Sequence, residues 1–322
     1  MTMEIKFEQK RTTELSNEEF EQIVSLFIIV FDRVITVEAL RHSYLSTPLG
    51  FSYHSILKDD GKICGFNTFE PSFFKYHGKK VLVASSVTTM VDVKHRGASN
   101  FYYIVSKAYP YLKGEGVSLV YAYPNNNSYP VFTKMKLTKD VGEMFTYCLP
   151  LRIGGIKTKL KVFNYISLLF CKCWVGVSSL LASRHVVSFP MEKDIETYDK
   201  PRYSRNLQEV YKNVKINEAV FHYRIKEHAG IRTAFMIDIS SKSSRNFVTA
   251  VNYLLRKEGK NIDLVLYPGY LPFKVTGMIK LPMKYAPKRL SLTAKILDDS
   301  IFGDDVWNIR NWDTNLSNYD LI

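Results

Sequence analysis

The sequence predicts an α/β protein, a mixed sheet with flanking helices, built twice along the chain. Three observations carry this. Runs of strand character alternate with runs of helical spacing through the first half. The stretches "TMVDVKHRGASNF" (89–101) and "FMIDISSKSSRNF" (235–247) share Met-x-Asp and a later Asn-Phe; Met90 to Met236 and Phe101 to Phe247 are both offset by 146 residues. "SLVYAYP" (118–124) and "DLVLYP" (263–268) then follow at almost the same distance, Leu119 to Leu264 being offset by 145. A register shared over roughly 35 residues marks a duplication of strand, turn, helix, glycine stop and strand.

The elements of the first half can be read in order. Ser16-Asn17-Glu18-Glu19 fits a capping box, and Phe20, Ile23, Val24, Phe27 and Phe31 follow at helical spacing. A second short helix is expected over Val37 to Tyr44. "FSYHSILKDDGKICGFNTF" reads as a hairpin whose Asp60-Gly61 turn needs positive φ at both residues. A strand from Val81 to Val93 completes a meander. Phe101, Ile104, Val105, Ala108 and Leu112 then mark a helix stopped at Gly114 and Gly116. "VSLVYAY" is a buried strand, "SYPVFTKMKL" a short helix and "GEMFTYCLPL" a final strand. This order makes a meander followed by a strand–helix–strand crossover.

Val162 to Ser183 is nearly apolar but contains Lys172, a costly residue at a bilayer centre, so a buried or interfacial helix is expected rather than a span. Residues 184–206 read as a polar linker. The domains expected are therefore 1–150, an apolar helix and linker over 151–206, and a second lobe over 207–322. The net charge of +13 divides as +2 in residues 1–150 and +11 in residues 151–322. A basic second half suits an anionic partner: a nucleotide-linked substrate, nucleic acid or an anionic membrane met peripherally. No helix-turn-helix, zinc-finger or RNA-recognition signature is present, which weighs against nucleic acid. Met1 to Lys10 is polar and charged, so no secretory leader is expected, and four scattered cysteines suggest reduced thiols in a cytoplasm. Cys171-Lys-Cys173 lies in an apolar run without nearby histidines, so no metal site is expected.

The chemistry concentrates at "VDVKHRGASNFYYIV", where a strand delivers the chain into a helix N-terminus. Free N–H groups and the helix dipole favour an anion there. Gly97 removes a Cβ, Arg96 adds a charge suited to phosphate, and Ala98 and Ser99 are small. Together they read as a pyrophosphate cradle; a plain polar turn is the alternative.

Arg96-Gly97-Ala98-Ser99-Asn100-Phe101 resembles the Arg/Gln-x-x-Gly-x-Gly/Ala signature, often written Arg-Gly-x-Gly-x-Gly, of the GNAT family of acyl-CoA-dependent N-acyltransferases. Arg96 and Gly97 match; Ser99 and Phe101 stand where small glycines are usual. Asn125-x-x-Ser128-x-x-x-Phe132 is similar to a second family pattern, Asn-x-x-Ala/Ser-x-x-x-Tyr. The second repeat resembles a degenerate copy, with Ser243 where the first has Gly97 and with Lys242 as its nearby cation. The resemblance implies two GNAT-like lobes, acetyl-CoA as co-substrate and an amine acceptor. It implies backbone contacts from Val91 and Val93, the pyrophosphate on Arg96, Gly97, Ala98, Ser99 and Asn100, and Asn125 on the pantetheine arm or, equally, as a helix cap or an Asx-turn. A backbone N–H near Met90 or Val91 would hold the oxyanion. Phe132 replaces the tyrosine that usually protonates the thiolate; Tyr129, three residues earlier, is the substitute considered, with Glu70 and His54 as general-base candidates. By analogy alone the acceptor is an amino sugar, carried on a nucleotide if the basic half serves it. Two other readings stay open: a non-catalytic binding protein for an anionic partner, and a cell-wall-type tandem aminoacyl transferase using aminoacyl-tRNA.

Overall fold

The structure, a computed structural model, describes residues 5–207 and 210–319, without the side chains of Ala98 and Thr158. The chain begins with β1 (Lys6–Arg11), α1 (Asn17–Phe31), α2 (Val37–Leu45), β2 (Tyr53–Asp59), β3 (Lys62–Tyr76) and β4 (Lys79–Val91). It continues through α3 (Ala98–Ser106), α4 (Ala108–Gly114), β5 (Leu119–Ala122), α5 (Tyr129–Lys134), β6 (Lys139–Glu143) and β7 (Phe145–Pro150). Then come α6 (Ile153–Ile156), α7 (Asn164–Leu181), β8 (Met191–Lys193), α8 (Ile195–Ser204), β9 (Lys212–Ile216), β10 (Ala219–His228) and β11 (Ile231–Ser240). Helix α9 (Ser244–Lys257), β12 (Leu264–Gly269), β13 (Ile279–Lys280) and β14 (Ser291–Ile296) complete the α-helices and strands of the described residues, and three short 3-10 turns follow.

Two compact units result, and they are not the successive blocks 1–150, 151–206 and 207–322. The first comprises Met1–Glu143, Pro190–Glu209 and Leu290–Asn311; the second comprises Met144–Phe189, Val210–Arg289 and Trp312–Ile322. The first unit holds a sheet in the order β1-β2-β3-β4-β5-β14-β6, with β8 also on β3. All its pairs are antiparallel except β4–β5. The "GEMFTYCLPL" strand expected from sequence is two strands, β6 and β7, which separate at Met144. Gly142 sits at an irregularity opposite Leu292 and Thr293, at φ 140°, with Ile309 lying where a Cβ would project. That bend ends β6 in the first sheet, while β7 pairs with β12 in the second. Strand β14 therefore lies between β5 and β6. The expected linker, 184–206, contributes β8 and α8 to the first unit instead.

Several expectations hold locally. Asp60 and Gly61 turn the β2–β3 hairpin at φ 47° and 77°. The helix after β4 breaks at Lys107, where Pro110 is near enough to remove one helical N–H and crowd the Ser106 carbonyl. Gly65 in β3 lets that helix approach: a Cβ there would come within 3.0 Å of Leu57 and 3.3 Å of Ile104. Strand β1 escapes a sequence reading because "KFEQKR" is mostly polar; cross-strand charge supports it, with Lys58 bonding Glu8 at 2.8 Å.

The capping box at α1 is also an electrostatic node. Ser16 and Glu19 exchange hydrogen bonds at 3.0 and 3.1 Å, and Lys10 and Lys58 both donate to Glu19 Oε1. Burial would raise the Glu19 pKa, but the bonds from Lys10, the Ser16 N–H and Lys58 outweigh it and hold the carboxyl at about 2. The folded value is thus depressed from the ordinary 4.5, so the stabilisation is full above that value and fades as pH falls through it. Glu19→Gln should melt below the parent at neutral pH, the gap closing as pH falls from about 5 towards 2. A gap independent of pH would contradict this.

The second unit holds the order β13-β7-β12-β11-β10-β9. Its core is built on Phe221, Met236, Phe247, Val251, Leu254 and Tyr267, with α9 on one face of the sheet. Strands β11 and β12 are parallel, pairing Thr233–Leu264, Ala234–Val265 and Phe235–Leu266.

Candidate functional site

The site of interest lies where β4 hands over to α3. Strand β4 ends at Val91, two residues before the end expected from sequence, because Val93–His95 form a tight 3-10 turn. The His95 ring fixes that turn: Nδ1 lies 3.2 Å from Asp92 Oδ2 and Nε2 3.0 Å from Asp59 Oδ2. Asn100 Nδ2 closes it from the helix, donating to the His95 carbonyl at 2.8 Å. Val93 is therefore exposed on the turn and is not a strand residue. Val91 remains on the strand. The Asp92 N–H donates to Cys64 C=O on β3 at 2.8 Å, so strand alternation turns the Val91 N–H and C=O to the opposite edge. Of the two oxyanion candidates, Val91 faces that edge.

The next residues open the N-terminus of α3. Gly97 has φ 175°, extended backbone that any residue adopts, and a Cβ there would meet nothing nearer than Ser99 Oγ at 3.7 Å. Neither conformation nor packing asks for glycine. What its absence of Cβ does is leave the helix end open. No side chain caps α3, and its first internal bond runs from the Phe101 N–H to Gly97 C=O at 3.2 Å. The N–H groups of Ala98, Ser99 and Asn100 precede that bond. Ala98 is the first helical residue; its side chain lies outside the described structure. Arg96 is exposed, with Nε towards the Val91 carbonyl at 3.4 Å.

Beside this junction the sheet opens. Strands β4 and β5 pair only at Val83–Leu119, Ala84–Val120 and Ser85–Tyr121. From Ser86 to Val91, nothing among the described residues pairs with that edge of β4. A bulge with Thr88 at φ 53° bends β4 within this stretch. An open strand edge thus runs up to an open helix N-terminus that carries a cation.

The remaining predicted residues are placed as follows. Asn125 makes an Asx-turn ahead of α5: its Oδ1 accepts from the Asn127 and Ser128 N–H groups at 2.9 and 3.0 Å. Tyr129 donates its hydroxyl to Asp140 on β6 at 2.9 Å. Phe132 is a core residue, edge-on to Phe101 at 5.5 Å. His54 is wholly buried between Thr12 and Thr68 at 2.9 and 3.1 Å, stacked on Phe66, and burial pushes its pKa down to about 3. Glu70 lies in the middle of β3, not at its end, and forms a two-pronged ion pair with Arg205, which follows α8. His54 is thus packed between two threonines and Glu70 is committed to Arg205. Sequence reasoning missed Arg205, since no local pattern marks a partner 135 residues away. It also missed Tyr121, in the last β4–β5 pair, whose hydroxyl pKa burial pushes well up, so that it keeps its proton.

The matching place in the second unit is built differently. Asn246 repeats the Asn100 bond, donating to Ser241 C=O at 2.9 Å. Ser243 caps α9, accepting from the Asn246 N–H at 3.1 Å, and the Arg245 N–H is taken by Ser183 C=O at 2.8 Å. Lys242 is buried in an ion pair with Asp313. Where β11 and β12 part, residues 312–319 lie between them: Asn315 bridges to Gly269 on β12 and donates to Asp238 on β11 at 2.6 Å. Ser317 adds a second bond to Asp238 at 3.2 Å. The second unit's helix end is capped and its gap is filled by its own chain.

No family model matches the sequence, and no curated protein matches it. Solved structures do. A probable N-acyltransferase of unknown function from Enterococcus faecalis superposes with a TM-score of 0.60 at 14% identity, covering 92% of this chain and 73% of that one. A GCN5-related N-acetyltransferase from Anabaena variabilis gives 0.57 at 10% identity over 91% and 73%. Another from Kribbella flavida gives 0.58 at 11% over 92% and 72%. The fold is the GNAT fold.

Proposed function

We propose that the first unit is an acyl-CoA-dependent N-acyltransferase that moves an acetyl group from acetyl-CoA to an amine. The observation that supports it most is the junction of an unpaired β4 edge with an uncapped α3 whose glycine the fold itself does not need. Arg96 and the N–H groups of residues 98–100 would hold the pyrophosphate. Asn125, with its oxygen spent on the Asx-turn, has Nδ2 left for the pantetheine arm. The Val91 N–H would stabilise the oxygen of the attacked thioester. The amine nitrogen bonds to the acyl carbon as the carbon–sulfur bond breaks, and the thiolate takes up a proton. Phe132 supplies none, so that proton comes from solvent. With His54 buried and neutral and Glu70 paired, the acceptor enters as its free amine.

The second unit reads as a degenerate copy that binds no donor. The +11 charge of residues 151–322 supports an anionic acceptor, for which a nucleotide-linked amino sugar is the proposal. Calorimetric titration with CoA should give about one site per chain, and acetyl-CoA should release free thiol faster with nucleotide-linked than with free amino sugars. Absence of CoA binding would overturn the proposal, and a stoichiometry near two would overturn the reading of the second unit. Phe132 in the core favours one second reading, an acyl-CoA-binding protein without turnover, which would bind CoA but release no thiol.

A further inference from the structure

Helix α7 carries an apolar face that its own unit leaves uncovered. Cys171, Val175 and Ser178 are buried, and Ser167 Oγ and Cys171 Sγ hydrogen-bond to Pro150 C=O at 2.5 and 3.3 Å. This inner side belongs to the second unit's core. On the opposite side Ile166, Leu169, Phe170, Trp174, Val177 and Leu180 stand at helical spacing, with Leu169 51% and Leu180 85% exposed. The stretch Lys159–Leu181 is long and apolar enough to cross a membrane, yet only 17% of its apolar window is buried. Isolated exposed hydrophobics are ordinary on protein surfaces, but a continuous helical face of them marks an interaction site.

Charge identifies the occupant. Between Glu143 and Glu192 the chain contains no Asp or Glu. Lys157, Lys159, Lys161, Lys172 and Arg184 are all exposed and have no ion-pair partner among the described residues. Lys172 falls at the edge of the apolar arc, where its stem can lie along the face and its ammonium reach outward. Phe170 and Trp174 stack at 6.2 Å on the exposed side, and Tyr165 is 77% exposed near the helix start. Apolar face, flanking cations and amphipathic aromatics suit an anionic lipid surface. Docking two copies through this face would bring cations against cations with no carboxylate between them. A spanning insertion would tear Cys171 and Val175 from the core.

We infer that α7 docks the protein flat on an anionic bilayer, its outer face in the headgroup–acyl boundary and its lysines on the lipid phosphates. This goes beyond the acyltransferase reading and stands or falls separately from it. The test is sedimentation of the full chain with phosphatidylglycerol-containing vesicles and with pure phosphatidylcholine vesicles. Binding is expected to the anionic vesicles alone, weakening with salt, with a blue shift of tryptophan emission that Trp174→Phe removes. Leu169→Glu with Val177→Glu should reduce binding at least about 10-fold without lowering the melting temperature, because both side chains are exposed. Lys157→Glu, Lys159→Glu and Lys161→Glu together should do the same while leaving the apolar face intact. Equal binding to neutral vesicles, or no binding, would overturn the inference. So would retention resistant to alkaline carbonate, which marks a span. So would a dimer abolished by Leu169→Glu in a protein that ignores vesicles.

Discussion

Arg96→Glu should weaken CoA binding at least about 10-fold, because it replaces a charge-assisted contact of about 1.5–3 kcal/mol with repulsion. The exposure of Arg96 means that the substitution leaves the fold alone, so the melting temperature of the free protein should not change. Gly97→Val gives the steric counterpart. At φ 175° valine is unstrained, and its Cβ would enter open space in the free protein. Its effect should therefore fall on CoA affinity and not on stability. In the second unit, Lys242→Glu should behave in the opposite way. It places a buried carboxylate against Asp313, so stability should fall while CoA affinity holds. Unchanged affinity of Arg96→Glu by calorimetry would remove the cradle. Loss of affinity in Lys242→Glu at temperatures where it stays folded would move the cradle to the second unit.

Glu70→Ala should destabilise the first unit by about 3–5 kcal/mol, because it strands the Arg205 guanidinium in a buried place. The side chains of Glu70 and Arg205 are only 7% and 12% exposed, and both carboxylate oxygens are engaged. Arg205 also donates Nε to Ser43 at 3.1 Å, tying the segment after α8 to α2. Removing both charges, as Glu70→Leu with Arg205→Leu, should recover much of the loss, since hydrophobic replacement of a buried pair is often neutral. Denaturant unfolding of the parent, the two single variants and the double variant measures the coupling. A general base behaves otherwise: Glu70→Gln would keep the melting temperature and lose turnover, and that outcome would restore Glu70 to catalysis.

Much of the local structure was legible in the residues. The Ser16–Glu19 capping box, the Asp60-Gly61 turn, the helical period after Phe101 and the Arg96-Gly97 junction are short-range patterns, and each has a short-range physical cause. The similar Asn100 and Asn246 bonds fall on the Asn-Phe pair that the two stretches share. Other features were not legible. Nothing in "KFEQKR" marks β1, whose support comes from Lys58 and Glu19 on other elements. Tyr129 and Asn125 have the residue types for chemistry, but Asp140 takes the Tyr129 hydroxyl and the Asn127–Ser128 backbone takes the Asn125 Oδ1.

By itself the sequence determined the α/β class, most of the elements between α1 and β5, and the one place where an arginine and a glycine precede a helix. Only the tertiary structure decided the rest: that β7 joins the second sheet and β14 the first, that Arg205 neutralises Glu70, and that residues 312–319 fill the second unit's gap. The reason lies in what each level can encode. Periodicity sets which face of a strand is apolar, and it is the same whichever sheet the strand enters. Partner choice depends instead on buried contacts between residues distant in sequence, such as Leu292 and Ala294 packed fully inside the first unit. Those contacts exist only once the chain has folded.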